Sequence, residues 1–543
     1  MFALGGTILI AVLIWCYVRR NDKALKAQPA KEFAAFSPNR VTAKEVLTTA
    51  AEPLDKLTVA DQLPPRTGRR YIVVGGVSGG SVPLMAVDQI SGWLLGWVDR
   101  GAAASGEPFD VIWRLVLTCA KRGEDPKKIR VLDLKPPRRH DLLTGSAKDV
   151  DFIQLDISDR DAVYAAFTKS WPDEGHDGVT IFHTASNIRF YERHPALLHR
   201  SAKVNVQGTE NIIDAAKAIG VNILLYTSSG SVAVRRSRFW LWPWESKVPF
   251  HFQVIDDDEH NHILPRRHDQ FFSNYAATKM HAETLVRKAD KTGQLRTGCL
   301  RPGNGIFGPG GDMLCGAYLV RKANPTWVQN TLQSFVYVEN CALAHLCYEQ
   351  RLIELSNGSR NPDIGGQVFH IADPGAPPTY GDVYTTLEVL TNGETYFPEF
   401  SPTVMLFIAH IIELYYLVQY YLSASTSRIP RAFGRFLPTI NGDLVNLQPS
   451  LWALMQVHLV FDDSRARLSP KQGGLGYRGP WTTLEALHKM VAEYKSGVSK
   501  FDNRSDVGGV SLGWAMGHAQ RGVGKVGDNI VESLRIDPLQ TKN

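Results

Sequence analysis

A tyrosine and a lysine four residues apart, Tyr275 and Lys279, stand in the run Phe271-Phe272-Ser273-Asn274-Tyr275-Ala276-Ala277-Thr278-Lys279. One helical turn separates them, so a helix here presents both on one face. A nearby ammonium favours the phenolate and can bring a tyrosine into range for proton transfer near neutral pH. The spacing alone is weak, because it recurs at Tyr318 and Lys322 in a chain with 18 tyrosines. What marks the first copy lies upstream. An apolar run at 223–226 leads into Thr227-Ser228-Ser229-Gly230-Ser231, which supplies hydroxyls able to hold a substrate oxygen. Ser228 and Ser229 are adjacent candidates for that role.

Positioning such groups needs a rigid frame. From residue 71 the chain alternates short apolar runs (71–74, 129–132, 152–155, 179–182, 223–226 and 297–300) with amphipathic stretches such as 161–169 and 202–218. Continuous apolar strands separated by helices imply a parallel sheet covered on both faces. The expected fold class is therefore α/β, a Rossmann-like doubly wound sheet that binds ligands at the carboxyl ends of its strands.

Several residues fall at those ends. Gly75-Gly76 follow the first strand, where glycines let backbone approach a pyrophosphate at a helix N-terminus. Asp133 ends the second, where an acid can bind a ribose 2′-hydroxyl and select NAD over NADP. Lys135, Arg138 and Arg139 follow closely and keep NADP open. Asp156 ends the third strand, either at an adenine edge or as the N-cap of a helix beginning near Ser158. His183-Thr184-Ala185-Ser186 follow the fourth, with small residues that let the backbone lie against a cofactor or pack a tight turn. Asn205 lies within a predicted helix, where asparagine is a poor former. A buried hydrogen-bonding role toward the site accounts for it, as does a satisfied core asparagine.

The ends of the chain read differently. Residues 2–18 carry no charge and are followed by Arg19, Arg20, Lys23 and Lys26. That is the pattern of an N-terminal membrane anchor (1–22) with the rest of the chain on the cytosolic side. Residues 23–68 read as a linker, 69–400 as the nucleotide-binding domain, 401–500 as a C-terminal substrate-binding or membrane-associated region, and 501–543 as a Gly-rich flexible tail. A second apolar run, 403–422, contains His410, Glu413 and Gln419 and reads as a helix lying on a bilayer or over a substrate entrance. The formal charge of +6 is mild for 543 residues and no nucleic-acid signature. Six cysteines with no C-x-x-C and no zinc spacing read as reduced, mostly buried thiols, and no metal is expected.

Taken in order, strand-Gly-Gly, strand-Asp, His-Thr-Ala-Ser, Asn-Val-Gln-Gly-Thr, Tyr-Thr-Ser-Ser and Tyr-x-x-x-Lys resemble the extended short-chain dehydrogenases. More narrowly they resemble the 3β-hydroxysteroid dehydrogenase family, with its fungal sterol-4α-carboxylate 3-dehydrogenases. The stretches 301–310, 335–342 and 367–373 fit as well, so the resemblance covers roughly 69–500. It implies Tyr275 as general acid/base, Ser229 holding the substrate oxygen, and Lys279 on the nicotinamide ribose, lowering the tyrosine pKa. It implies Pro302 and Gly303 near the nicotinamide, and Thr184, Ala185 and Ser186 against the cofactor. It further implies NAD as cofactor, a hydrophobic sterol-like substrate, and the endoplasmic reticulum membrane with the catalytic domain facing the cytosol. A homodimer or a place in a sterol-demethylation complex follows from the same likeness.

The chain departs from the family in one place. Gly75 to Asp133 is 58 residues, where first glycine to acid normally takes around 20–30. The segment near 77–110 is an insert, with Pro83 where the first helix would run. It reads either as translated intron sequence beginning at Val77 or as a surface loop. The third glycine falls to Gly79, Gly80, Gly92 or Gly96. Two alternatives to the sterol dehydrogenase stay open on the sequence. One is an NADPH-dependent reductase of another hydrophobic ketone. The other is a catalytically impaired nucleotide-binding protein, because the glycine loop is disrupted.

Overall fold

The structure is a computed structural model that describes residues 2–51, 59–75, 111–136, 143–172, 175, 177–257, 266–308, 312, 315–440 and 443–496. Gly76, the segment 77–110 with all four candidates for the third glycine, Arg138, Arg139 and the tail 501–543 lie outside the described residues.

Seven parallel strands form the central sheet: β1 (Arg70–Val74), β2 (Ile129–Asp133), β3 (Asp151–Gln154), β4 (Val179–His183), β5 (Ile223–Thr227), β6 (Arg296–Pro302) and β7 (Val368–Ile371). Their spatial order is β7-β6-β5-β4-β1-β2-β3. The order reverses beside β1, which pairs with β2 on one side and β4 on the other. Such a switch point opens a crevice at the carboxyl ends of the strands.

The helices that complete the body include α1 (Phe2–Leu25), α2 (Val111–Lys121), α3 (Arg160–Thr168), α4 (198–218), α5 (Asn274–Lys288), α6 (Val338–Ser356), α7 (Pro402–Ala424) and α8 (Arg428–Phe436). Helix α4 is composite: Leu198–Ala202, a π-helical segment Lys203–Gly208, then Thr209–Ala218. Alternate side chains of each strand face opposite layers. Tyr71, Val73, Val131, Phe182 and Leu225 pack with Leu115 and Cys119 of α2 and with Cys341–Leu346 of α6. Ile72, Val74, Leu132, Ile181 and Leu224 pack with α3, α4 and α5 through Val163, Ile212 and Val286. Except at the edge strand β3, both faces of the strands are dry, which is why they read as unbroken apolar runs.

The crossover from β1 to β2 is made by α2, so the chain in excess of the family's spacing lies before Val111. Residues 23–68, expected as a linker, include helices at Ala30–Phe36 and Ala43–Ala51 that are fastened to the body. Phe33 clusters with Leu332 and Val460. Asp382 accepts from Arg40 Nη1 at 2.7 Å and from the Val41 N–H at 2.8 Å. Asp156 is not the cap of α3. That helix starts at Arg160 and is capped by Asp159, which accepts from two N–H groups, while Asp156 accepts from the Ser158 N–H at 2.9 Å and closes the preceding turn.

Beyond β7 the chain returns to the sheet's carboxyl edge. His458–Phe461 pairs in parallel with Phe252–Ile255, and Ile306–Phe307 with Val336–Tyr337. The region 401–500 shares its core with the nucleotide-binding part, through Trp452, Leu459 and Trp481. Helix α7 is long and apolar enough to cross a membrane.

Candidate active site

The carboxyl edge gathers the residues singled out by the sequence. Gly75 follows β1 and donates its N–H to Leu132 at 2.7 Å. Thr184 follows β4, and its hydroxyl and N–H both donate to the Val74 carbonyl, at 3.0 and 2.9 Å. The 228–231 turn follows β5, and Pro302 ends β6 with Gly303 behind it. Asp133 ends β2 half-buried and accepts from the Lys135 N–H at 3.3 Å.

Tyr275 lies in the first turn of α5, whose N-cap Ser273 accepts from the Ala276 N–H. Its phenol is buried, and the Ser229 and Ser186 hydroxyls favour its ionised form, so the ends of β4 and β5 both act on this one hydroxyl. Ser229 in turn donates to Ser231 Oγ at 2.8 Å. Ser228 is turned away. Its hydroxyl donates to Glu283 Oε2 at 2.6 Å, so the adjacent alternative for the oxygen-holding role is occupied elsewhere.

Lys279 is 2% exposed and donates to the Thr227 carbonyl at 2.7 Å, with its ammonium 4.5 Å from the Tyr226 ring centroid. Burial lowers it to about 7, against the raising influence of Glu283 and Cys299. The expectation that this lysine lowers the tyrosine is not met in the chain by itself. Burial pushes the Tyr275 phenol above its ordinary value, and the hydrogen bonds to Ser229 and Ser186, rather than Lys279, pull it back. A desolvated, partly neutral ammonium is a weak electrostatic partner.

Asn205 sits in the π-helical segment, fully buried. It accepts from the Asn187 N–H at 2.7 Å and from Ser186 Oγ at 3.3 Å, and donates to Thr278 Oγ1 at 2.9 Å. It therefore connects Ser186, a partner of the Tyr275 phenol, to the helix that carries Tyr275. Short π-helical segments recur at functional sites.

Sequence reasoning missed Glu283. It is fully buried, accepts from Ser228, and pairs with Arg301 on β6, whose Nε donates to Oε2 at 2.9 Å. The pair locks α5 to β5 and β6 under the site. The signal was available: Tyr275, Lys279 and Glu283 form an i, i+4, i+8 series on one helix face.

A cavity of about 960 Å³ adjoins this centre. Phe239, Trp240, Phe250, Phe272, Leu406 and Ala453 supply its apolar lining, and Arg193, Arg236 and Arg266 its charge. Phe272 lies three residues before Tyr275. Arg266 donates to the carbonyls of Val232, Ala233 and Val234, just beyond Ser229. The cavity is thus walled by the two segments that carry the acid/base pair.

Residues 113–390 match the 3-beta hydroxysteroid dehydrogenase/isomerase family. The chain belongs to this family. The match begins just inside α2, past the segment that departs from the family pattern. A 3beta-hydroxysteroid-dehydrogenase/decarboxylase isoform 2 of Arabidopsis thaliana is 28% identical over 379 residues, covering 67% of this chain and 57% of the relative. The decarboxylating sterol-4-alpha-carboxylate 3-dehydrogenase of Candida albicans is 31% identical over 259 residues, 46% of this chain and 64% of that one. The chain thus matches less than two thirds of the length of either relative. Among solved structures, the UDP-glucose 4-epimerase of Thermotoga maritima has a TM-score of 0.46 at 15% identity, covering 79% of this chain and 99% of the epimerase.

The site of this family member suits a nicotinamide dinucleotide on its own geometry. Lys279 has three ammonium hydrogens, and one is placed on Thr227. The Asp133 carboxylate stands half-buried at the end of the second strand. Gly303, expected near the nicotinamide, is also constrained by packing within the protein. A Cβ there would lie 2.7 Å from the Ser334 carbonyl oxygen, so close packing within the protein explains this glycine.

Proposed function

We propose that this chain is an NAD-dependent dehydrogenase of the 3β-hydroxyl of an apolar, sterol-like alcohol. Its preferred substrate carries a 4α-carboxylate, and its place is on the cytosolic face of the endoplasmic reticulum membrane. The observation that carries the reading is the buried Tyr275 at the sheet's carboxyl edge, its phenolate favoured by Ser229 and Ser186, with the desolvated Lys279 one turn along the same helix.

In this reading Tyr275 takes the proton of the 3-hydroxyl as general base, and Ser229 donates to the oxygen as it becomes a carbonyl. Lys279 and Asp133 hold ribose hydroxyls, and the dinucleotide, when bound, accepts the hydride from C3. The product of a 4α-carboxylated substrate is a β-keto acid, which loses carbon dioxide readily. The apolar cavity beside the Ser229 and Tyr275 segments supports a hydrophobic substrate, and Asp133 supports NAD over NADP. The relatives named as decarboxylating sterol dehydrogenases support the carboxylated substrate.

The test is turnover of the purified full chain on 3β-hydroxysterols with and without a 4α-carboxylate, using NAD and NADP in parallel. Turnover with NAD on the carboxylated sterol, abolished in Tyr275→Phe, is the expected result. Unchanged turnover in that variant overturns the mechanism.

A further inference from the structure

Helix α8 is a nine-residue segment with three different sides. Gly434 faces α7, so closely that a Cβ would stand 2.8 Å from the Ser423 nitrogen. Tyr415 and Gln419 of α7 donate to the carbonyls of Pro438 and Leu437 just beyond it, which fastens α8 in place. At about 100° per residue, Ile429, Phe433 and Phe436 project from a second side. They are 76%, 66% and 87% exposed. Arg428, Arg431 and Arg435 form the third side, also exposed. Among the described residues no carboxylate lies within ion-pair distance of these three arginines.

Helix α7 carries an exposed apolar stripe of its own. Phe407, Ile411, Leu414, Val418 and Tyr421 follow one another along α7 at alternating spacings of four and three, each between 42% and 64% exposed. Trp242 and Trp244 stack on each other, ring centroids 5.5 Å apart, and are likewise exposed. An uncovered apolar surface of this extent, in a chain whose core is otherwise dry, calls for an occupant.

We propose that α8 docks on a lipid surface bearing anionic headgroups, with Ile429, Phe433 and Phe436 in the acyl boundary and the arginine row at the phosphates. The charge pattern decides between occupants. A two-fold pairing of two copies through the apolar side would leave both arginine rows without counter-charge, whereas an anionic membrane neutralises them. A short helix with one aromatic-aliphatic face and one basic face is built for the membrane interface. This rests on the membrane placement proposed above and supplies its docking surface, while the dehydrogenase chemistry does not enter it.

The experiment uses the full chain with Cys16→Ser and Phe433→Cys, the new thiol carrying an environment-sensitive fluorophore. The other five cysteines are buried and stay unlabelled. The protein is reconstituted into phosphatidylcholine vesicles with or without phosphatidylserine. The emission at position 433 is expected to shift to the blue, and to be quenched by brominated acyl chains, only where phosphatidylserine is present. Adding Arg428→Glu, Arg431→Glu and Arg435→Glu is expected to abolish that shift, as is high salt. Turnover in detergent serves as the folding control, since α8 carries none of the residues placed in the site. A probe that stays water-exposed on phosphatidylserine vesicles overturns the proposal. So does a shift equal on both vesicle types, or one already present in detergent and accompanied by dimers.

Discussion

Two copies of the same spacing behave as opposites. Tyr275 and Tyr318 are equally buried, at 8% exposure, and each has a lysine four residues on. Helix α5 carries through from Asn274 to Lys288, so Lys279 stays on the buried face. The helix holding Tyr318, Cys315–Arg321, stops one residue short. Lys322 then adopts a left-handed φ of 63° and leaves for the surface, where it pairs with Glu394 at 3.3 Å. Around Tyr318 are Tyr384 and Phe397, both edge-to-face with its ring, an aromatic core in place of the hydroxyls that act on Tyr275. A motif becomes a site only where the helix persists and a strand end supplies the remaining groups.

The contrast is easiest to break at the phenol. Tyr275→Phe is expected to lower kcat by roughly 10²–10⁴-fold, the usual weight of a positioned acid/base. Tyr318→Phe is expected to leave turnover within a factor of two, and similar losses in both would erase the distinction. Next in size is the support under the first copy. Glu283→Ala leaves Arg301 buried and unpaired, at a cost of about 3–5 kcal/mol in denaturant unfolding. Replacing both partners, as Glu283→Leu with Arg301→Met, is expected to recover most of that loss, because the isolated charge rather than the missing bond is costly.

Asn205→Ala strands the Asn187 N–H and a hydrogen bond to Thr278, for about 1–3 kcal/mol of stability. A matching fall in kcat at unchanged KM would show that Ser186 had lost its alignment as well.

The lysines give the most diagnostic effect. Burial holds Lys279 down to about 7 from an ordinary 10.5. Between those values the unfolded chain binds a proton that the folded chain lacks. Stability therefore rises with pH across the window, by at most ~1.4 kcal/mol per unit, and the gain is lost as pH falls toward 7. Unfolding midpoints measured at pH 7 and pH 10 are expected to converge in Lys279→Met. Lys322→Met removes only an exposed pair with Glu394 and is expected to change stability by less than about 1 kcal/mol.

How much was legible depends on where the information sits. The strands from 71 to 300 could be placed within a residue or so because both their faces are buried, and β7 was visible only through a family motif. The Tyr275–Ser229 pairing was legible through motif order. The raised phenol was not, since it depends on how deeply the ring is buried once the helix packs. Asp156 and Asp159 are the same residue type three positions apart, and only backbone geometry tells a turn-closing aspartate from a helix cap. The segment 23–68 looked like a linker because its fastenings, Asp382 for Arg40 and Val460 for Phe33, lie more than 300 residues away.

The parallel pairing of Phe252–Ile255 with His458–Phe461 has a consequence for how the protein comes into being. Phe461 packs over Gly230, where a Cβ would meet its ring at 2.5 Å, so the floor beside Ser229 is laid by the far end of the chain. A ribosome that has just released Lys279 has made the whole acid/base set but must add about 180 more residues, taking roughly 10–40 s, before that floor exists. For that interval the nascent chain exposes an unfinished crevice, and a transcript truncated before residue 458 encodes a polypeptide that never closes it.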